Sequence, residues 1–131
     1  VVAGYASVSP LPGVPETLER MRGDGARLAV VTSSFDRVAR SWLQRTGLAH
    51  LVDAVVAKEH TERHKPDPTP FLHASDLLGV PPVHCLGVED STSGITAILA
   101  AGMTAWRIGG EDPRVPSFRD HRALLDAWMA Q

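Results

Sequence analysis

The chain has 131 residues, 44% of them hydrophobic and 21% charged, enough for one domain with a modest core. A formal net charge of -2 and the lack of a basic stripe argue against nucleic acid as a partner. No apolar run approaches a membrane span, the start lacks the basic residues of a signal peptide, and Cys85 is the only cysteine, so a reducing, cytoplasmic setting is the default expectation. Val1 rather than Met opens the chain, which leaves room for upstream residues.

Residues 1 to 9 are ambiguous, and Ser9-Pro10-Leu11-Pro12-Gly13 reads as a turn. Pro15 stands where a helix can begin, and Val14, Leu18 and Met21 follow at helical spacing before Gly23 and Gly25 stop it. Arg27 to Val31 is a short buried strand ending in Thr32-Ser33-Ser34. A second helix is expected over Phe35 to Arg45, with Val38 and Trp42 on one face.

Asp53 to Ala57 is the next strand, followed by a polar loop that runs into Lys65-Pro66-Asp67-Pro68. Lys65 and Asp67 each precede a proline, which restricts their backbone and stiffens the loop. Thr69 to Leu78 is a third helix, closed by Gly79. Val83 to Val88 is the third strand, with His84 and Cys85 at its start read as packing residues. It ends in Glu89-Asp90-Ser91 and a helix that stops at Gly102. Thr104 to Ile108 is a fourth strand candidate, and Ser117 is expected to cap a last helix carrying Leu124, Leu125 and Trp128. Strands alternating with helices of about three turns predict a parallel sheet covered by helices in one domain.

Three polar groups therefore follow three strands, and a parallel sheet brings them to one edge. Hydroxyls and backbone N–H groups at Thr32-Ser33-Ser34 suit phosphate oxygens, especially where a helix begins. Lys65 adds a point charge for a phosphate or an anionic nucleophile. Glu89 and Asp90 are hard oxygen donors suited to Mg²⁺. Each has a plainer alternative: a helix cap at Thr32 to Ser34, a solvated loop charge at Lys65, and acids favoured at a helix start for Glu89 and Asp90. In combination they describe phosphoryl transfer, which rests on positioning and charge neutralisation.

Leu28 to Ser34, Lys65-Pro66-Asp67-Pro68 and Gly87-Val88-Glu89-Asp90-Ser91 resemble the second, third and fourth motifs of the haloacid dehalogenase superfamily of phosphatases and phosphomutases. Pro12-Gly13-Val14, and Gly94-Ile95 running to Ala100-Ala101-Gly102-Met103, match framing stretches of the branch that includes β-phosphoglucomutase and phosphoglycolate-type phosphatases. The resemblance covers roughly residues 9 to 109. It implies a three-layer, Rossmann-like core with helices on both faces of a parallel sheet. It implies that Thr32 binds the transferring phosphoryl group, with Ser33 lending a backbone N–H and Ser34 a further contact. Lys65 would pair with the nucleophilic carboxylate and the phosphate, and Asp90 and Glu89 would hold Mg²⁺ directly or through water. The substrate would be a small phosphorylated metabolite. His64 stands where relatives often carry a small residue and is read as a solvated loop side chain.

One departure is large. The family's first motif, an apolar strand ending in an Asp-x-Asp pair that supplies the nucleophile and the general acid and base, is not present in these 131 residues, and neither is the inserted cap domain. The expectation is a carboxyl-terminal core portion over 1–131 that is inactive by itself. The alternative is a non-catalytic phosphate- and metal-binding or protein-interaction module. A receiver-type domain fits poorly with the order of the acids and Lys65. Because the family's first strand lies mid-sheet, three arrangements are open: the gap is left by a missing segment, residues 1 to 8 fill it, or its two neighbours pair directly. Self-association through exposed strand edges is a further expectation.

Overall fold

The computed structural model of the chain describes residues 2–5 and 12–131. Six strands form one sheet: β1 (Val2–Tyr5), β2 (Arg27–Val31), β3 (Ala54–Val56), β4 (Cys85–Glu89), β5 (Thr104–Ile108) and β6 (Ser117–Phe118). Five helices connect or flank them: α1 (Val14–Gly23), α2 (Asp36–Arg45), α3 (Thr69–Leu78), α4 (Thr92–Ala100) and α5 (His121–Met129). The sheet order is β3-β2-β1-β4-β5-β6, and every neighbouring pair is parallel.

Alternation along the strands sorts the core into two layers. Leu28, Val30, Leu86 and Val88 join Leu18 and Met21 of α1, Leu43 of α2 and Leu124 of α5. Ala29, Val31, Cys85 and Ala105 face the other way, against Phe71 of α3 and Ile95 and Ile98 of α4. Small residues on this second face let α4 lie close: a Cβ on Gly87 would stand 2.6 Å from Ile98 Cδ1. The parallel sheet with helices on both faces is the arrangement that the alternating sequence pattern predicts.

The central gap is filled. β1 pairs with β2 (Tyr5 opposite Val30) and with β4 (Tyr5 opposite Val88), so the strands of Thr32 and Glu89 are separated by one strand. Of the three arrangements, this is the one in which the amino-terminal residues occupy the slot; residues 1 and 6–8 of the stretch expected to fill it lie outside the described residues, as do Ser9 to Leu11 of the predicted turn. The two exposed mid-sheet edges therefore do not exist, and the sheet's outer strands are β3 and β6.

Four local expectations are corrected. Ser117 lies in β6 opposite Arg107, and its hydroxyl accepts the Asp112 N–H at 3.0 Å. Asp120 caps α5 instead, accepting the Ala123 N–H at 2.9 Å. On α2 the inward residues are Ala39 and Leu43, one position on from the predicted face, which leaves Val38 exposed and Trp42 half-buried. The third strand begins at Cys85 because Pro82–His84 forms a 3₁₀ turn that puts Val83 and His84 in solvent; only Cys85 of the His84-Cys85 pair packs inside.

Candidate functional site

The carboxyl ends of β2, β3 and β4 carry the predicted residues. Thr32 leaves β2 buried, its N–H donating to Val56 O at 2.9 Å. Its hydroxyl accepts the Ser34 N–H at 3.1 Å, which folds Thr32-Ser33-Ser34 into a tight turn. Ser33 faces solvent and Ser34 is half-buried. The helix start after this turn is already occupied: Glu59 Oε1 accepts the Asp36 N–H at 2.7 Å. That carboxylate arrives from the loop after β3, so the first amide of α2 is not an open donor for an anion.

The same loop is laced to the turn at several points. The Lys58 N–H donates to Ser34 O at 2.9 Å, and His60 Nδ1 accepts the Ala57 N–H at 2.9 Å. His60 Nε2 lies 3.7 Å from Asp36 Oδ1. The loop then runs over exposed His64 into Lys65, whose peptide bond to Pro66 is cis. The Asp67 carboxylate accepts both the Thr69 hydroxyl and the Thr69 N–H, which starts α3 and holds its carboxyl below the usual range.

Lys65 reaches inward. Its Nζ lies 3.2 Å from Glu89 Oε2, and the two side chains are 12% and 2% exposed, so the pair is shut away from solvent. The other oxygen, Glu89 Oε1, accepts the Asp90 N–H at 3.1 Å and the Ser91 hydroxyl at 3.2 Å. Ser91 also caps α4, accepting the Gly94 N–H at 3.1 Å. Glu89 fits because residue 94 has no side chain: a Cβ on Gly94 would stand 1.9 Å from Glu89 Cγ. A glycine inside a helix is locally unfavourable, so its presence marks a close approach.

Burial pushes the Glu89 carboxyl above its usual range; the Lys65 charge opposes this, and the neighbouring Asp90 carboxyl adds to it. Asp90 itself is exposed. Two adjacent carboxylates, one of them deprived of water, form an oxygen donor set whose repulsion a hard cation would relieve, so the donors fit Mg²⁺, which commonly takes one or two protein carboxylates, waters and substrate phosphate. Among the described residues there is no group of three or more His, Cys, Asp or Glu placed to hold a metal.

Of the predicted residues, the fold thus brings Lys65, Glu89 and Asp90 together. Thr32 to Ser34 stand two strands away from Glu89, across β1, and connect to the Lys65 loop through residues 58–60. Sequence reasoning did not mark Glu59, His60 or Ser91 as parts of the site. Ser91 had a readable signal, a hydroxyl at a helix start; the contacts of Glu59 and His60 with Asp36 had none, because Asp36 lies over twenty residues away.

Residues 3–108 match the family model described as haloacid dehalogenase-like hydrolase. The chain is 42% identical over 99 residues to fructose-1-phosphate phosphatase YqaB of Escherichia coli (strain K12), covering 76% of this chain and 52% of that protein. It is 36% identical over 124 residues to a plasmid phosphoglycolate phosphatase of Cupriavidus necator, covering 93% of this chain and 54% of that protein. The crystal structure of β-phosphoglucomutase from Clostridium difficile superposes with a TM-score of 0.80 at 23% identity, over 92% of this chain and 58% of that one, a likeness of fold. The chain spans about half the length of the curated relatives it matches. With the family model matched over most of its length, and with Thr32, Lys65 and Glu89 at the carboxyl ends of a parallel sheet, the chain belongs to the haloacid dehalogenase-like hydrolases.

Proposed function

We propose that this chain is the phosphate- and metal-holding core of a Mg²⁺-dependent phosphatase or phosphomutase acting on small phosphorylated metabolites. The buried Lys65–Glu89 ion pair carries the reading. Sealing an ammonium and a carboxylate away from water is costly and is a weak way to gain stability, whereas an edge that collects an ammonium, two carboxylates and a hydroxyl turn is suited to a transferring phosphoryl group.

In this reading residues 1–131 form one core domain. Thr32 binds the phosphoryl group through its hydroxyl hydrogen, since its oxygen already accepts the Ser34 N–H. Ser33 contributes its backbone N–H and Ser34 a further contact at the same turn. Lys65 neutralises phosphate charge and is held in place by Glu89. Asp90, exposed at the rim, and Glu89 behind it hold the cation, Glu89 directly or through water. A Mg²⁺ ion held by these residues would supply charge neutralisation for the phosphate oxygens. The nucleophile is not among these residues, because the sequence contains no Asp-x-Asp. The chain by itself is therefore expected to bind phosphate and turn nothing over. A reducing, cytoplasmic location suits the buried, unpaired Cys85.

Calorimetric titration of the chain with inorganic phosphate, with and without Mg²⁺, tests this. Binding strengthened by Mg²⁺, weakened by Lys65→Ala and Thr32→Ala, and insensitive to Mg²⁺ in Asp90→Asn is the expected result. No phosphate binding under any of these conditions rules the reading out.

A further inference from the structure

Two side chains at the rim of this edge take no part in the lacing just described. Phe35, the residue after the Thr32 to Ser34 turn, is 47% exposed. Lys58 places its Nζ 5.3 Å from the centroid of the Phe35 ring. None of the ion pairs among the described residues involves Lys58; the neighbouring Asp36 is paired to Arg40 and Glu59 is turned to the Asp36 amide. The backbone beneath them is tied down, because the Lys58 N–H donates to Ser34 O and the Glu59 carboxylate accepts the Asp36 N–H, which holds residues 58–59 against residues 34–36. An exposed aromatic face and a cation without a carboxylate thus stand together next to the proposed phosphate turn.

We propose that Phe35 and Lys58 form a specificity rim that reads the non-reacting end of the phosphorylated substrate, an inference that rests on the phosphate-binding reading above. The Phe35 ring offers an apolar face to the carbon skeleton. The Lys58 ammonium pairs with a second anionic group on that skeleton, a carboxylate or a second phosphate. Sliding from the ring to such an anion costs Lys58 little, since a cation over an exposed ring is only weakly held. The rim therefore favours phosphate esters that carry a second anionic group over esters of neutral alcohols.

Matched ligands test the idea on this chain in the presence of Mg²⁺. Glycerol 1-phosphate and 3-phosphoglycerate share three carbons and differ in the far carboxylate; fructose 1-phosphate and fructose 1,6-bisphosphate differ in the far phosphate. In one pair the wild type is expected to bind the member with the second anionic group about two- to fivefold more tightly than its partner, the range of an exposed ion pair. The pair that shows the preference identifies the anion. Lys58→Gln should abolish that preference while leaving the Kd of the ester with a single phosphate and no further anionic group unchanged, and Phe35→Ala should weaken both members of each pair. A preference that survives Lys58→Gln, or none in the wild type, overturns the rim while inorganic phosphate binding still supports the core reading. Failure of the wild type to bind inorganic phosphate as well as the esters removes both.

Discussion

At the scale of single residues, the site depends on what one missing methyl permits. Gly94 leaves room for the Glu89 side chain, and a Cβ there overlaps it at 1.9 Å. Gly94→Ala must displace a carboxylate that the Asp90 N–H, the Ser91 hydroxyl and Lys65 hold, so we expect a loss of about 1–3 kcal/mol in urea unfolding, in the range of overpacked cores, together with weakened phosphate binding. Lys65→Met has a different signature. It leaves Glu89 buried and unpaired, which costs about 3–5 kcal/mol at neutral pH when a buried pair is broken from one side. Burial already raises the Glu89 carboxyl, and losing Lys65 raises it further. A carboxyl raised in the folded state favours folding at low pH, and that advantage fades as pH rises through the folded value. The Lys65→Met variant should therefore regain part of its deficit as pH is lowered from 7 toward 5, which thermal melts against the wild type will show.

His121 is the second buried titratable group with a pH consequence. Burial lowers its pKa below the usual histidine range, and Asp120 opposes this in part. A histidine lowered in the folded state is protonated more readily when unfolded, so its effect is to leave stability intact above about pH 6.5 and to erode it as pH falls below that value. Melts of the wild type and His121→Gln at several pH values should show a shallower acid decline in the variant between pH 6.5 and 5.

At the scale of elements, caps decide where helices start and what they carry to the edge. Ser91 serves two masters, capping α4 and donating to Glu89. Ser91→Ala should cost at least the ~1 kcal/mol of a lost cap. Asp120→Ala removes a cap with no link to the site. Its cost should be similar in unfolding, again about 1 kcal/mol, but with phosphate affinity unchanged. The contrast between the two variants separates helix stability from site geometry. The loop between β5 and β6 is anchored by Asp112, whose carboxyl Arg114 holds down at about 2. Arg114 also reaches Thr96 of α4. That support is present above pH 4 and is lost as pH falls toward 2.

At the scale of the whole molecule, β1 determines whether the sheet is continuous. It is only four residues long, yet it pairs on both sides and separates the strands of Thr32 and Glu89. A central strand cannot accept proline without losing ladder bonds. Ala3→Pro removes a ladder donor and leaves its buried acceptor unsatisfied, so it should destabilise the chain by about 1–3 kcal/mol. In hydrogen exchange, the amides of residues 3–5 should be protected comparably to those of 28–31 and 86–88. Rapid exchange at residues 3–5 with slow exchange in β2 and β4 would show the slot to be filled some other way.

The alternation of apolar runs with helical spacing, and punctuation by Gly23, Gly79 and Gly102, were sufficient to place most strands and helices, because strand burial and helix stops are local properties. The placement of Thr32, Glu89 and Asp90 at strand ends, and of Lys65 a loop beyond another strand, was legible for the same reason. Other features depended on partners distant in sequence. No local pattern says that Val2–Tyr5 enters the sheet between β2 and β4, that Glu59 closes the start of α2, or that Lys65 spends its charge on Glu89, since each is a contact chosen by the packed whole. Ser117 and Val38 were misplaced where a locally acceptable role, a cap or an inward helix face, yielded to strand pairing and to a one-residue rotation of the buried face. The residue chemistry that suits a phosphate and metal edge is readable in the sequence; the tertiary structure decided which of those groups meet, because only packing brings the ends of separate strands within hydrogen-bonding distance.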